Sequence, residues 1–168
     1  MLFPKKIFPV IAARPIEWHV MVLSLAFGLL FAWKNLSPQN RDPVFFLTLS
    51  LSSGVGFVYA SSYFLTWLVK VSGPVVPPQL LRMVVGYSLT PFTLSLFFMM
   101  LADHHYLPRL PFVYFVFVVM TWGLMVYGIQ HVARIPVIQA LFVTVIPVLA
   151  LMLAIAILFK VAWMIYGY

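Results

Sequence analysis

Five apolar runs without a charged residue, separated by short segments that hold basic residues and prolines, dictate what this chain can become. The runs cover 18–33, 44–69, 83–102, 110–133 and 135–159, or 16, 26, 20, 24 and 25 residues, together 111 of 168. A helix rising about 1.5 Å per residue crosses a hydrocarbon layer of about 30 Å in about 20 residues. Four runs meet that length outright. The first meets it once Ile16 and Glu17 enter the headgroup layer. The expected fold is an all-α integral membrane protein of five transmembrane helices, over about 16–33, 44–69, 83–102, 110–130 and 136–159.

Charge supports the same class. Charged residues make up 8% of the chain and apolar residues 64%, against about 25% charged in an ordinary soluble domain. Too little polar surface remains for a separate soluble domain. The net charge of +7 is scattered singly along the chain, mostly at span ends. There it meets lipid headgroups and sets orientation, rather than forming a nucleic-acid patch. The absence of cysteine removes disulfides, thiolate metal sites, iron–sulfur clusters and cysteine nucleophiles. Phe31-Ala32-Trp33-Lys34-Asn35 offers no small-residue cleavage site after the first run, which is therefore expected to be a retained helix.

Turn residues place the connections at 34–43, 70–82, 103–109 and 130–136. With the N-terminus inside, the cytoplasmic side would carry Lys5, Lys6, Arg14, Lys70, Arg82 and Arg134. The other side would carry Lys34, Arg41, Arg109 and Lys160. That excess favours N-in and C-out. Trp18 and Trp33 bracket the first span, Trp67 closes the second, and Trp163, Tyr166 and Tyr168 follow the last, as interfacial anchors do. Trp122, near the middle of span four, is expected to pack internally or to stack on a ligand. Pro91 and Pro147 fall inside spans three and five, where each removes a hydrogen bond and kinks the helix. Ser88, Thr90 and Thr144 are at hand to serve the freed carbonyls. These kinks are either packing features or the hinges of a groove.

Span two holds small residues Ser52, Gly56 and Ala60 at four-residue spacing, a pattern that lets two helix backbones approach closely. The partner is another helix of this chain or a second copy. Arg14 and Glu17, three residues apart, are expected to neutralise one another at the start of span one, beside His19. Asp103, His104 and His105 form a weak metal candidate, because adjacent histidines diverge by about 100° on a helix and no spaced ligand motif such as HExxH is present. His131 reads as a headgroup contact. No pattern for a cofactor, a phosphate loop or a catalytic nucleophile occurs. No ionisable residue falls in a span interior, which argues against ion-coupled transport.

Val84-Val85-Gly86-Tyr87-Ser88-Leu89-Thr90-Pro91, with Gly56-Phe57-Val58-Tyr59-Ala60 before it and Trp122 through Tyr127 and Gly128 after it, resembles the Yip domain family, the Ypt-interacting proteins. The closing Trp163-Met164-Ile165-Tyr166-Gly167-Tyr168 is similar to the end of its small bacterial inner-membrane members. The resemblance implies a single Yip-like domain over 1–168 with five spans and a cytoplasmic N-terminus, in which Gly86, Tyr87 and Pro91 shape a kinked, tightly packed helix. The family's eukaryotic branch is linked to prenylated small GTPases through a long cytosolic N-terminal region. About fifteen residues precede span one here, which fits the bacterial branch and a bacterial inner-membrane location.

The functional expectation is a non-enzymatic, multi-pass inner-membrane scaffold or accessory subunit that binds membrane partners or lipids. The alternative is a passive transporter or lipid-translocating element, with Phe97, Phe98, Phe115 and Phe117 beside the Pro91 and Pro147 kinks as an apolar groove. A metalloenzyme built on Asp103, His104 and His105 is the remote third reading. The expected partners are the lipid bilayer and a membrane protein or second copy, with no nucleic acid and no cofactor.

Overall fold

A computed structural model describes residues 17–35, 42–108, 110–146 and 149. Every regular element among them is helical. Helix α1 spans Glu17–Asn35, α2 Pro43–Val71, α3 Pro78–Asp103, α4 Pro111–Ala133 and α5 Val137–Ile146. Three of them, α2, α3 and α4, are long and apolar enough to cross a membrane. Helix α1, 19 residues with Glu17 in its first turn and Lys34 in its last, is the shorter, more polar member that its run length announced. The expected kink at Pro147, the rest of the fifth span, Arg14 and the closing aromatic anchors lie outside the described residues.

Helix starts follow local chemistry. Asp42 caps α2 by accepting the Val44 N–H at 2.9 Å, and Pro43 fills the first turn, where a missing donor costs nothing. Pro78 and Pro111 begin α3 and α4 in the same way. Arg134 ends α4 in the left-handed region at φ 53°, which releases the chain toward α5. Span three was expected to begin at 83, but α3 begins at Pro78. Helix α2 already ends at Val71, ahead of Gly73 at φ 115°, and Pro78 is a favoured first helical residue. Arg82 is therefore inside the helix.

Glu17 meets Arg82 and Lys34 meets Asp103, so α1 and α3 are parallel neighbours. Ser24 and Gly28 meet Gly54 and Ser50, so α2 runs antiparallel to α1, and α4 packs on α3. Helix α3 is central. Its apolar stretch is 44% buried, against 17% for α2 and α4, and Leu81 to Gly86 are buried without interruption. Val20 and Phe27 of α1, Val58, Leu65 and Val69 of α2, Ile129 of α4 and Ala140 and Val143 of α5 complete one core around it. The outer faces stay apolar. Leu47, Leu51 and Phe64 on α2 and Phe112, Phe115 and Val119 on α4 are exposed, a surface suited to hydrocarbon and a liability in water. Phe98 stacks on Phe117 between α3 and α4, and Phe97, Phe98 and Phe115 are all exposed.

Ser52, Gly56 and Ala60 are all exposed and are not the face that packs on another described helix of this chain. The packed face holds Ser50, Gly54, Val58 and Ser62. Two sets of small residues occupy opposite sides of α2, and the choice is made by α1, which offers Ser24 and Gly28 to only one of them. A Cβ on Gly28 would lie 2.0 Å from the Ser50 carbonyl oxygen, and one on Gly54 2.2 Å from the Ser24 carbonyl oxygen. Backbone thus meets backbone, with no room for a methyl group. At this level α2 loosens into a π-helical turn, Ser52–Gly56.

Helix α3 breaks at Leu89, where ψ opens to −13° between Ser88 and Thr90. Buried Pro91 is the cause, since it has no N–H and crowds the carbonyl four residues back. Just beyond the break the regular bonding resumes at Thr93, whose N–H and hydroxyl both donate to the Leu89 carbonyl, at 2.9 and 3.0 Å. Ser88, expected to help, has a buried hydroxyl without a partner. Thr144 donates to the Leu141 carbonyl at 2.8 Å. Most other hydroxyls do likewise, as Ser24, Ser50 and Ser62 show. Each of these hydroxyls is thereby satisfied within its own helix.

The Gly28–Gly54 contact sets a sharp expectation. Gly28→Ala should lower stability by about 1–3 kcal/mol through overpacking, read as thermal unfolding in mild detergent. Gly123→Ala, where a Cβ meets nothing within 4 Å, should leave stability unchanged or raised.

Candidate functional site

The ionisable side chains gather at the two ends of the α1–α3 pair. At one end, Glu17 of α1 faces Arg82 of α3, with Oε1 and Nη1 3.5 Å apart. At the other, Lys34 of α1 donates to Asp103 of α3. Between them, the Val20 side chain sits where a Cβ on Gly86 would lie, 2.5 Å from its Cγ1. One residue on, His19 Nδ1 and the Tyr87 hydroxyl hydrogen-bond at 3.2 Å, while the His19 ring meets Trp18 edge-on. The sequence separation grows from 65 residues at Glu17–Arg82 to 69 at Lys34–Asp103. Helix α3 therefore spends four more residues than α1 between the same two levels, as a bent rod beside a straighter one must.

Arg82 is the residue that sequence reasoning misplaced. Expected in a loop against headgroups, it lies one turn inside α3 and is 8% exposed. Its guanidinium carbon sits 3.8 Å above the Tyr59 ring and 5.9 Å from the Tyr63 ring. Nη1 makes the long contact to Glu17, and Nε is buried without an acceptor. Glu17 is a weak counter-ion at this distance, with its side chain 46% exposed. The expected Arg14–Glu17 pairing involves a residue outside those described; the Glu17 carboxylate meets Arg82. Arg82 is carried within the first turns of α3 because the helix begins earlier than the apolar run.

At the opposite end, Asp103 bonds Lys34 while His104 and His105 are exposed in the turn that follows α3. His105 takes a positive φ of 62° and lines an open hollow of about 550 Å³ with Ala102, Tyr106, Leu107 and Pro108, all from one turn. Among the described residues, no group of three His, Cys, Asp or Glu side chains comes together as a metal site. Asp103, His104 and His105 are thus not brought into one ligand set. His131 is exposed and stacks on Tyr127. Trp122 is half-buried.

Gly86, Tyr87 and Pro91 fall together on α3. Gly86 admits α1, Tyr87 bonds it, and Pro91 bends α3 just beyond. The up-and-down helix order puts Glu17, Lys70, Arg82 and Arg134 at one end of the bundle, and Lys34, Asp42 and Asp103 at the other. Among the described residues, basic groups therefore concentrate at the Arg82 end.

Substitutions at this site should separate ring from carboxylate. Arg82→Gln removes a desolvated cation–π contact worth up to about 2 kcal/mol. Glu17→Gln removes a half-exposed pair worth less than about 1 kcal/mol. Thermal unfolding in detergent is expected to rank Arg82→Gln as the costlier change, and equal losses would assign the guanidinium to the carboxylate instead. Comparison of the chain with protein-family models, with curated proteins and with solved structures finds no match.

Proposed function

We propose that this chain is a non-enzymatic, multi-pass membrane scaffold or accessory subunit that docks lipids or other membrane proteins on its outer face. The observation that carries the reading is where the polar chemistry lies. The interior is filled by close backbone contacts and by hydroxyls bonded within their own helices, the outer surface is apolar, and the described charges sit at the two ends. Such a molecule holds shape in lipid. The reading takes the five apolar runs as five spans with the Arg82 end and the N-terminus in the cytoplasm. The three basic residues Lys70, Arg82 and Arg134 at that end, against Lys34 at the other, support this orientation. The Yip-domain resemblance enters on the same footing. The placing of Gly86 and Tyr87 against α1, and of Pro91 at the α3 break, supports a packing role for those signature positions. A bacterial inner membrane is the location the resemblance suggests.

The cysteine-free chain makes both parts testable. Single cysteines at exposed Val75 and Tyr106 should react with an impermeant maleimide from opposite sides, Val75→Cys only after the cytoplasmic face is opened. Extraction from native membranes in mild detergent should recover a reproducible protein partner, oligomer or bound lipid. A monomeric particle carrying neither protein nor lipid would overturn the scaffold reading.

A further inference from the structure

We propose that Arg82, Tyr59 and the face of α2 that continues through Tyr63 and Trp67 to Lys70 form a binding site for the phosphate of an anionic lipid headgroup. The inference rests on the scaffold reading and assigns one of its ligands. Its first support is the state of the guanidinium. Arginine presents five N–H donors in a planar fork that matches phosphate. In Arg82 one of them makes a single long contact, to Glu17 at 3.5 Å, and Nε is buried with no acceptor. A buried cation with a weak counter-ion and an orphaned donor is costly, and an incoming phosphate supplies both the charge and the acceptors.

Its second support is the surface beside that cation. Tyr59, Tyr63, Trp67 and Lys70 recur at spacings of four, four and three, so they share one face of α2. The Arg82 contacts with Tyr59 and Tyr63 show that this face leads to the guanidinium. Tyr63 and Trp67 are 58% and 59% exposed and Lys70 is exposed beyond them. Exposed amphipathic rings capped by a lysine match the depth profile of a phospholipid, rings at the acyl boundary and ammonium at the headgroup. A free phosphate ion would satisfy Arg82 but leave the rings uncovered. A lipid covers both.

The test uses the full chain purified in mild detergent, with native mass spectrometry of added phosphatidylglycerol, phosphatidylcholine of the same acyl chains, or inorganic phosphate. Phosphatidylglycerol is expected to bind about tenfold more tightly than phosphatidylcholine, the scale of one charge-assisted contact. Lys70→Gln and Tyr63→Leu, both on exposed positions, should each weaken that binding about threefold or more. Arg82→Gln should abolish the preference, and Arg82→Lys should keep part of it. If Arg82→Gln does not fold, judged by its thermal transition without lipid, the decision falls to Lys70→Gln and Tyr63→Leu. Equal binding of the two lipids, or a preference untouched by Lys70→Gln and Tyr63→Leu, overturns the site. Inorganic phosphate binding that needs Arg82 but ignores Tyr63→Leu overturns the lipid assignment. Loss of the headgroup preference with lipid or protein partners still bound sinks this inference alone, whereas a bare monomer sinks the scaffold reading beneath it.

Discussion

Close approach of α1 and α2 at Gly28 and Gly54 is the constraint on which the arrangement rests. Hydrocarbon gives helices no hydrophobic reason to associate, so attraction must come from van der Waals contact over many atoms at short range. Glycine on both sides removes the Cβ atoms that would hold the backbones apart. Once the pair is closed, the side of α2 facing inward is fixed, and with it the side that carries Tyr59 and Tyr63 toward α3. The same logic recurs at Gly86, where α3 receives Val20 of α1. Three helices are thus seated on one another through two glycine contacts, and the larger residues of the core fill what remains.

The ion pairs at the ends add direction to this packing. Helix α1 carries acid first and base last, and α3 carries base first and acid last. Only a parallel pairing at one level matches both; an antiparallel pairing would oppose like charges, and a shifted one would part both pairs. The pairs themselves are modest in energy because both acids are partly exposed. Their contribution is to registry more than to stability, since wrong alignments are penalised at two points at once.

The helical class, the helix count and most helix limits were legible in the apolar runs, because length and charge spacing are properties of the sequence itself. Two features were not. The packed face of α2 could not be read, because Ser52, Gly56 and Ala60 repeat as well as Ser50, Gly54 and Ser62 do, and only the partner's Gly28 decides between them. Arg82 was hidden because a charge ends an apolar run on paper, whereas a helix can begin before the run and carry the charge inside. A signal for it existed. In an up-and-down bundle the first and third helices begin at the same end, so an acid opening one and a base opening the other are already neighbours, as are Lys34 and Asp103 at the far ends.

The reciprocal charges on α1 and α3 also bear on biogenesis. Helix α1 is barely of spanning length and bears a charge in each terminal turn, so it holds the bilayer poorly by itself. Its complements lie 65 and 69 residues further along the chain and leave the ribosome well after it. Under the membrane reading proposed above, α1 would be settled only when α3 arrives beside it, and insertion of the early helices would be a joint event rather than a sequence of independent crossings.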